Sequence, residues 1–296
     1  MMRSLTAGTD KLICDILISR YFLIGLGAKG AGRMADATTR FSSYAGDYDR
    51  VRPQPPALLA EVISQWAGVA APEVIDIGTG SGLSLLPWSG RARTVIGVEP
   101  SGPMREIARR RAAALPDREA FTVTEARAED TGLPAESADI VTASQALHWF
   151  DPELALPEIA RLLRPGGVLA AYDCDWPPGV DWETDAAYVA CEDQMTRLEI
   201  SHGLQPPKAA KESHAARMRA SGLFRFVTEI AVHHREEGDA DRLVALLISQ
   251  GGTVALLNQG VSEDELGLTR LREVAARRIR GTVPFWWTYR IRLAVR

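Results

Sequence analysis

The residues best suited to chemistry lie in one stretch, where Asp76 precedes glycines at 78, 80 and 82. Glycines in such a cluster let the backbone approach a ligand that a Cβ atom would keep away. Apolar β-formers precede them, so we predict a buried parallel strand over residues 73–77 that ends in a tight loop. Ligands of open α/β sheets bind beyond the carboxyl ends of the strands, where Asp76 would lie. The stretch therefore predicts half of a nucleoside-binding site.

The spacing of the glycines separates two kinds of ligand. A dinucleotide loop has the pattern G-x-G-x-x-G, but here the third glycine is Gly82 and position 83 is leucine. Glu99 ends the next apolar run, 21 residues after Gly78, where an acid would hydrogen-bond a ribose diol. A nucleoside without phosphates, such as sulfonium-bearing S-adenosylmethionine, therefore fits better than NAD. A nicotinamide-dependent oxidoreductase is disfavoured.

The elements that would position these residues alternate regularly between strand and helix over residues 73–173. This alternation predicts an α/β fold, Rossmann-like and doubly wound, with a mostly parallel sheet and helices on both faces. Ser81 is expected to cap a short helix that runs to Ser89. Beyond 176 we predict helices over 183–201, 208–220, 239–249 and 262–280, and strands over 225–235 and 282–295, which makes seven strands in total.

Composition narrows the class of protein. The chain has 296 residues, a formal net charge of −4 and scattered basic residues, so nothing indicates a nucleic-acid surface. Cys14, Cys174 and Cys191 lie far apart, without the spacing of a metal site or of a CxxC pair. We therefore expect a reduced, cytoplasmic protein without a bound metal.

Residues 1–33 differ from the rest of the chain. Their apolar run, 12–24, carries Asp15 and Arg20, which makes it too short and too charged to span a membrane or to serve as a signal peptide. The segment is expected to be either helical or poorly ordered. It is either an upstream extension before Met34 or an amphipathic helix that docks on a neighbouring subunit, so both a monomer and a homo-oligomer remain open.

Five motifs in sequence order resemble the core of the class I S-adenosylmethionine-dependent methyltransferases. The resemblance is strongest to the small-molecule family of ubiquinone-type and trans-aconitate-type enzymes. The motifs are 74–82, 98–104, 128–134, 145–150 and 163–167. The resemblance implies a methyltransferase domain over 34–296. Its parts would be a lid and first helix (34–72), a cofactor-binding core (73–176), a helical substrate-side insertion (177–222) and C-terminal strands and helices (223–296).

The resemblance also implies which residues contact S-adenosylmethionine. Asp76 would lie near the methionine end, Glu99 at the ribose hydroxyls, and residues 100–104 beside adenine. The full set of expected cofactor residues is Asp76, Gly78, Thr79, Gly80, Gly82, Glu99, Pro100, Ser101, Met104, Ala128, Glu129, Ser144 and Gln145.

Residues for the methyl acceptor are expected at the lid, after the fourth strand and in the closing strand. His148 follows the fourth strand and is a base, a residue that positions the acceptor, or a histidine packed beside Trp149. Asp173 and Asp175 are acid/base groups or, more simply, polar strand ends. The expected acceptor residues are Tyr44, Tyr48, Arg52, His148, Trp149, Trp176 and Trp286.

One further cluster has a simpler interpretation than a metal site. Adjacent histidines at 233 and 234 point to opposite faces of a strand, so with Glu236 and Glu237 they indicate a solvated strand end and not a metal site.

The sequence thus predicts methyl transfer from S-adenosylmethionine to a small molecule, in secondary metabolism. The acceptor would be a carboxylate, a phenol, an amine or an acidic carbon. The alternative is a cofactor-binding protein of the same fold that transfers no methyl group.

Overall fold

The computed structural model describes residues 51–204 and 210–296, and the expectations for residues 1–50, including Tyr44 and Tyr48, lie outside this part. In the described part, seven strands form one sheet. They are β1 (Glu73–Ile77), β2 (Thr94–Val98), β3 (Phe121–Thr124), β4 (Ala138–Ser144), β5 (Leu163–Cys174), β6 (Phe226–Gly238) and β7 (Val283–Val295).

The strand order is β3-β2-β1-β4-β5-β7-β6, which confirms the predicted doubly wound sheet. The first five strands are parallel, while β7 runs antiparallel between β5 and β6. The order of connection reverses between β1 and β4. At such a switch point the loops after two neighbouring strands diverge and leave a crevice at the carboxyl edge of the sheet.

Helices cover both faces of the sheet. Those described are α1 (Ala57–Ala67), α2 (Gly102–Ala113), α3 (Pro152–Leu162), α4 (Trp182–Ser201), α5 (His214–Ala220), α6 (Ala240–Ile248), α7 (Gly251–Asn258) and α8 (Leu268–Arg278). The start of α3 illustrates how the sequence fixes an end, because Asp151 accepts a hydrogen bond from the Glu153 amide with Pro152 in the first turn.

The segment after the glycine loop and one further helix differ from the prediction. The segment after the glycine loop is a 3₁₀ helix, Leu83–Trp88, that Gly82 precedes with a left-handed φ of 83°, so Ser81 does not cap it. A Cβ on Gly82 would lie 3.0 Å from the Ala108 Cα, which explains why this turn needs glycine. Helix α7 was not predicted because it begins at two glycines, which are poor helix formers.

The hydrophobic core lies on both faces of the sheet. On one face a single cluster joins the buried side chains of α1, α4, α6 and α8 to those of β5 and β7. On the other face α3 packs on β4 and β5, and α5 packs on β6 and β7. Among the described residues, no single helix has the length and hydropathy to cross a membrane. The bent pair Ala240–Ile248 and Gly251–Asn258, at 74°, passes those two criteria only when taken together.

Candidate active site

A cavity of about 210 Å³ lies at the carboxyl edge of the sheet, where the loops after β1, β2 and β4 meet. It brings together most of the residues expected at the cofactor: Gly78, Thr79, Gly80, Glu99, Pro100, Ser101, Met104, Ser144 and Gln145. Three of the expected acceptor residues also line it, namely Arg52, Trp149 and Trp176. The motifs thus converge on one site although they are spread along the sequence.

The glycine loop is fixed to the second strand by its own backbone. The amides of Gly78 and Thr79 both donate to the carbonyl of Val98, at 2.9 and 3.1 Å. Gly78 and Gly80 both have positive φ, 70° and 57°. A Cβ on Gly78 would lie 2.8 Å from the Ala146 Cβ, whereas a Cβ on Gly80 would meet no atom within 4 Å. Gly78 is therefore required for packing, and Gly80 leaves space beside the cavity.

Alanine substitutions should separate these two roles. We expect Gly78→Ala to lower the free energy of unfolding by about 2–3 kcal/mol, because it combines an unfavourable φ with overpacking against Ala146. Gly80→Ala should lower it by only about 1 kcal/mol, from the left-handed φ alone, while its methyl group obstructs a ligand. Urea denaturation and calorimetric titration with S-adenosylmethionine measure the two effects. Equal losses of stability in both variants would contradict this assignment.

Asp76 lies behind the loop and does not line the cavity. Its carboxylate is fully buried and accepts hydrogen bonds from the hydroxyls of Ser84, at 2.5 Å, and Thr142, at 2.6 Å. Burial raises the pKa of Asp76, and these two hydrogen bonds oppose that rise. Asp76 therefore connects β1 to β4 and to the 3₁₀ helix under the loop.

Glu99 forms part of the cavity wall at the end of β2. One carboxylate oxygen accepts a hydrogen bond from the Gly80 amide, at 2.9 Å, and the other from the Ser101 amide, at 2.8 Å. Burial raises the pKa of Glu99, and the two backbone hydrogen bonds oppose that rise. Each oxygen keeps a lone pair, so the carboxylate can hold the glycine loop and still accept from a ligand hydroxyl.

The Glu99 end of the cavity fits a nucleoside. Ser101 is buried there, and its hydroxyl has no hydrogen-bond partner within residues 51–204 and 210–296. A buried unpartnered hydroxyl is unfavourable and is satisfied when a ligand supplies the missing group. Met104 and Pro100 add apolar surface beside it. Glu99, Ser101 and the loop glycines would thus hold the ribose and the base of S-adenosylmethionine.

The opposite end of the cavity is aromatic. The Arg52 guanidinium lies 5.0 Å from the centre of the Trp176 ring, and Tyr289 and Cys174 complete this part of the wall. Burial raises the pKa of Cys174 to about 12 and that of Tyr289 well above its usual value, so both carry their protons at neutral pH. We call this region the acceptor end.

Gln145 connects the acceptor end to a buried group of charges. Its backbone is left-handed, with a φ of 52°, and its amide accepts from the Lys211 ammonium at 2.7 Å and donates to Cys174 Sγ at 2.7 Å. Lys211 also pairs with Asp173 at 3.1 Å, and Asp173 with Arg292 at 3.0 Å. The amide is therefore fixed from both sides.

His148 lies beside this charged group and not on the cavity wall. Its Nδ1 is 3.7 Å from an Asp173 oxygen, and its ring packs against Trp149 and, at 6.3 Å, against His214. Of the readings made from the sequence, the packed histidine matches this placement. Asp175, the second acid after β5, pairs with Arg290 at 2.9 Å near the surface.

We expect the stability of the protein to depend on pH because of His214, the buried neighbour of His148. His214 is 1% exposed, and burial lowers its pKa to about 4; the cations Arg292, Arg217 and Lys211 act in the same direction and Asp173 in the opposite one. Between pH 6.5 and 4 the unfolded chain binds this proton and the folded chain does not, so stability falls as the pH falls.

The size of the effect can be tested with one variant and a control. The pKa difference corresponds to roughly 3 kcal/mol over this range. Between pH 6.5 and 4, we expect the wild type to lose about that much more stability than His214→Gln, as measured by urea denaturation. His202→Gln, at an exposed position, should follow the wild type. A His214→Gln curve parallel to the wild type would refute the assignment.

Several expected site residues do not line the cavity. Gly82 turns the chain into the 3₁₀ helix, Ala128 is buried in the core, and Glu129 accepts a hydrogen bond from the Asp151 amide at the start of α3. Trp286 is 55% exposed, because the inward residues of β7 are Phe285, Trp287 and Tyr289. Alternation along the strand thus presents Tyr289 to the cavity, and Trp286 faces solvent.

The sets of expected cofactor and acceptor residues leave out several residues of the wall: Pro53, Pro55, Ser81, Leu83, Ser84, Ala146, Phe150, Cys174 and Tyr289. The period of two along β7 was the signal that could have selected Tyr289 over Trp286. In the part of the chain that the structure describes, no three His, Cys, Asp or Glu side chains are grouped to hold a metal ion.

Comparison with known proteins identifies the core. Residues 75–171 match the family described as "Methyltransferase domain". The match covers β1 to β5 and therefore the loops that form the cavity. The core of the chain is therefore similar to a methyltransferase domain. S-adenosylmethionine, the cofactor expected from the glycine spacing and from Glu99, is the methyl donor of such enzymes.

Individual relatives show the same similarity to methyltransferases. An uncharacterized methyltransferase of Mycobacterium tuberculosis is 40% identical over 134 residues, 45% of this chain and 51% of the relative. The ubiquinone biosynthesis O-methyltransferase of Histophilus somni is 29% identical over 128 residues, 42% and 54% of the two chains. The chain spans about half the length of the curated relatives it matches.

A solved structure from Anaeromyxobacter dehalogenans, described provisionally as a type II methyltransferase, matches over a longer range. It is 25% identical, with a TM-score of 0.60, and the alignment covers 82% of this chain and 97% of that chain. The similarity therefore extends beyond the matched domain into the C-terminal strands and helices.

Proposed function

We propose that the protein transfers the methyl group of S-adenosylmethionine to a small-molecule acceptor. The observation that carries this proposal is the cavity itself, where the glycine loop and Glu99 of a methyltransferase domain meet an aromatic acceptor end. When bound, S-adenosylmethionine supplies a methyl group on a sulfonium: the acceptor forms a bond to its carbon as the bond to sulfur breaks, which leaves a neutral thioether.

The protein's contribution would be orientation and exclusion of water. Glu99 and Ser101 would hold the nucleoside, while Trp149 and Trp176 would hold an acceptor in line with the methyl group. Such positioning is worth several kcal/mol in displacement reactions, on the order of 7–11 in the best intramolecular models. The apolar wall suits a planar or hydrophobic acceptor.

The protonation and charge of the groups at the acceptor end favour an acceptor that reacts without the help of a base. Among the described residues of that end, Cys174 and Tyr289 keep their protons at neutral pH, Arg52 is a cation, and His148 lies off the wall. A carboxylate is already a nucleophile at this pH, and Arg52 would attract it. We therefore place carboxylates ahead of phenols, amines and acidic carbons. Phenols are kept in the acceptor test as well, because the chain is also similar to a ubiquinone biosynthesis O-methyltransferase.

The scattered cysteines support a cytoplasmic location, and a role in secondary metabolism would suit an acceptor from outside the central pathways.

The test is a binding measurement followed by an acceptor screen. Calorimetric titration should give saturable binding of S-adenosylmethionine. Labelled-methyl transfer to matched panels of carboxylates and phenols should then give turnover, with carboxylates preferred. Failure to bind the cofactor would refute the proposal. Binding without turnover on any panel would instead support the alternative, a cofactor-binding protein without methyl-transfer activity.

A further inference from the structure

The segment of residues 51–55, which we call the strap, crosses the acceptor end of the cavity. Arg52, Pro53 and Pro55 line the wall there. Both residues that precede these prolines are restricted to extended backbone, and the prolines have fixed φ and no amide proton. The strap is therefore stiff and depends on side chains elsewhere in the fold for most of its hydrogen bonds.

The structure shows what holds the strap. The Gln54 amide donates to a carboxylate oxygen of Glu236 at 2.8 Å, and Arg242 Nε donates to the Val51 carbonyl at 3.2 Å. Glu236 and Arg242 also pair with each other. These two side chains come from the end of β6 and the first turn of α6, so they contact the strap across nearly 200 positions of sequence.

The corner that carries Glu236 and Arg242 is itself well fixed. Arg242 donates to the Glu237 carbonyl at 2.6 Å, and its guanidinium lies 5.7 Å from the centre of the Phe285 ring. That ring packs against Gly238, where a Cβ would come within 2.4 Å of it. The side chains of Glu236 and Arg242 are only 13% and 20% exposed, so water screens their pair less than it screens a surface pair.

We propose that Glu236 and Arg242 are positioning residues that fasten the strap over the cavity and thereby set the rate at which ligands enter and leave. The inference rests on the proposed function for the identity of the ligand. Neither residue lines the cavity, so both act through the strap, and Glu236 does so through the Gln54 amide. The Arg52 guanidinium also donates to the Ser249 carbonyl, at 2.9 Å. Among the described contacts, loss of those of Glu236 and Arg242 would therefore leave the strap held by Arg52 alone and free to uncover the acceptor end more often.

The neighbouring glutamate provides a matched control. Glu237 follows Glu236 on β6, but its side chain is 52% exposed and pairs with Arg235. Because successive residues of a strand face opposite sides of the sheet, Glu237 has no hydrogen bond to the strap among the described residues. Substitutions at 236 and 237 therefore make the same change in charge, on the same strand, with and without the contact to Gln54.

The first experiment measures the contact. In the full-length protein, we expect Glu236→Ala to speed hydrogen exchange of the Gln54 amide at least tenfold, measured by NMR, whereas Glu237→Ala should change it less than twofold. A Glu236→Gln variant keeps the size of the side chain and weakens the hydrogen bond, so it covers the case in which the alanine variant does not fold. Exchange at Gln54 that is equal in the wild type and in both variants at 236 would overturn the proposal.

The second experiment measures the consequence. Stopped-flow binding of S-adenosylhomocysteine should show both the association and dissociation rates rising about tenfold in Glu236→Ala, with the dissociation constant changing less than threefold. In Glu237→Ala the rates should stay within twofold of the wild type. Unchanged rates in Glu236→Ala would overturn the gating role. Absence of binding by the wild type would contradict the proposed function, whereas the Gln54 exchange would still decide whether Glu236 holds the strap.

Discussion

Replacing Glu99 by glutamine is expected to weaken binding of S-adenosylmethionine about 100-fold. The carboxylate has two tasks: it accepts from the amides of Gly80 and Ser101, and it would accept from the ribose hydroxyls. Hydrogen bonds to a charged group contribute roughly 1.5–3 kcal/mol, which corresponds to about 10- to 150-fold in affinity. A glutamine keeps one acceptor oxygen and turns a donor towards one of the amides, so both tasks suffer.

A second glutamate serves as the control. Glu125 lies in the next loop of the sheet, pairs with Arg105 at 2.5 Å and is 70% exposed, and it does not line the cavity. Glu125→Gln should bind the cofactor within twofold of the wild type in the same calorimetric titration. If Glu99→Gln also bound within twofold, the ribose assignment at the end of β2 would be wrong.

Replacing Asp76 by alanine is expected to act on the fold before it acts on the ligand. The change removes the carboxylate acceptor of two buried hydroxyls: Thr142 loses it outright, and Ser84 keeps, among the described residues, only its 3.3 Å contact with the Thr79 hydroxyl. A buried hydroxyl left without a partner costs about 1–3 kcal/mol. We expect the free energy of unfolding to fall by about 3 kcal/mol in urea denaturation. Asp76→Asn should lose about 1 kcal/mol, because the amide can still accept from one hydroxyl and donate to the other.

A double-variant comparison identifies the source of the loss. In a Thr142→Val background one of the two donors is already absent, so Asp76→Ala should cost roughly 1 kcal/mol less than it does in the wild type. A loss of affinity for S-adenosylmethionine with full stability would show that the carboxylate contacts the ligand directly, as the resemblance implied. Additive losses would show that Asp76 and Thr142 do not interact.

The cavity wall contains most of the residues expected at the cofactor but fewer of those expected at the acceptor, and the difference has a physical basis. The glycine loop and Glu99 are set by the local geometry at the ends of β1 and β2, so spacing alone locates them. The acceptor end depends on which way a side chain points and on contacts between distant segments. Trp286 and His148 were expected there, but neither lines the cavity, whereas Tyr289 and Cys174 do.

Long-range ion pairs were also beyond the reach of the sequence. Lys211 reaches Gln145 and Asp173 from the helical insertion, and no local pattern distinguishes it from a solvated lysine. Glu236 was interpreted as part of a solvated strand end together with Glu237, yet the two residues face different surroundings. The alternation of strand and helix predicted the sheet well because it depends only on periodicity within each element.

The position of β7 has a consequence for how the protein is made. The strand follows β6 in the sequence but lies between β5 and β6 in the sheet, with Val168 of β5 paired to Val295 of β7. Strand β6 therefore has no strand to pair with in the described sheet until β7 has been synthesised. A nascent chain that has passed β5 already contains the glycine loop and Glu99. It lacks Tyr289 and the corner that holds the strap. The donor half of the cavity can therefore form during translation, whereas the acceptor end is complete only when β7 supplies Tyr289.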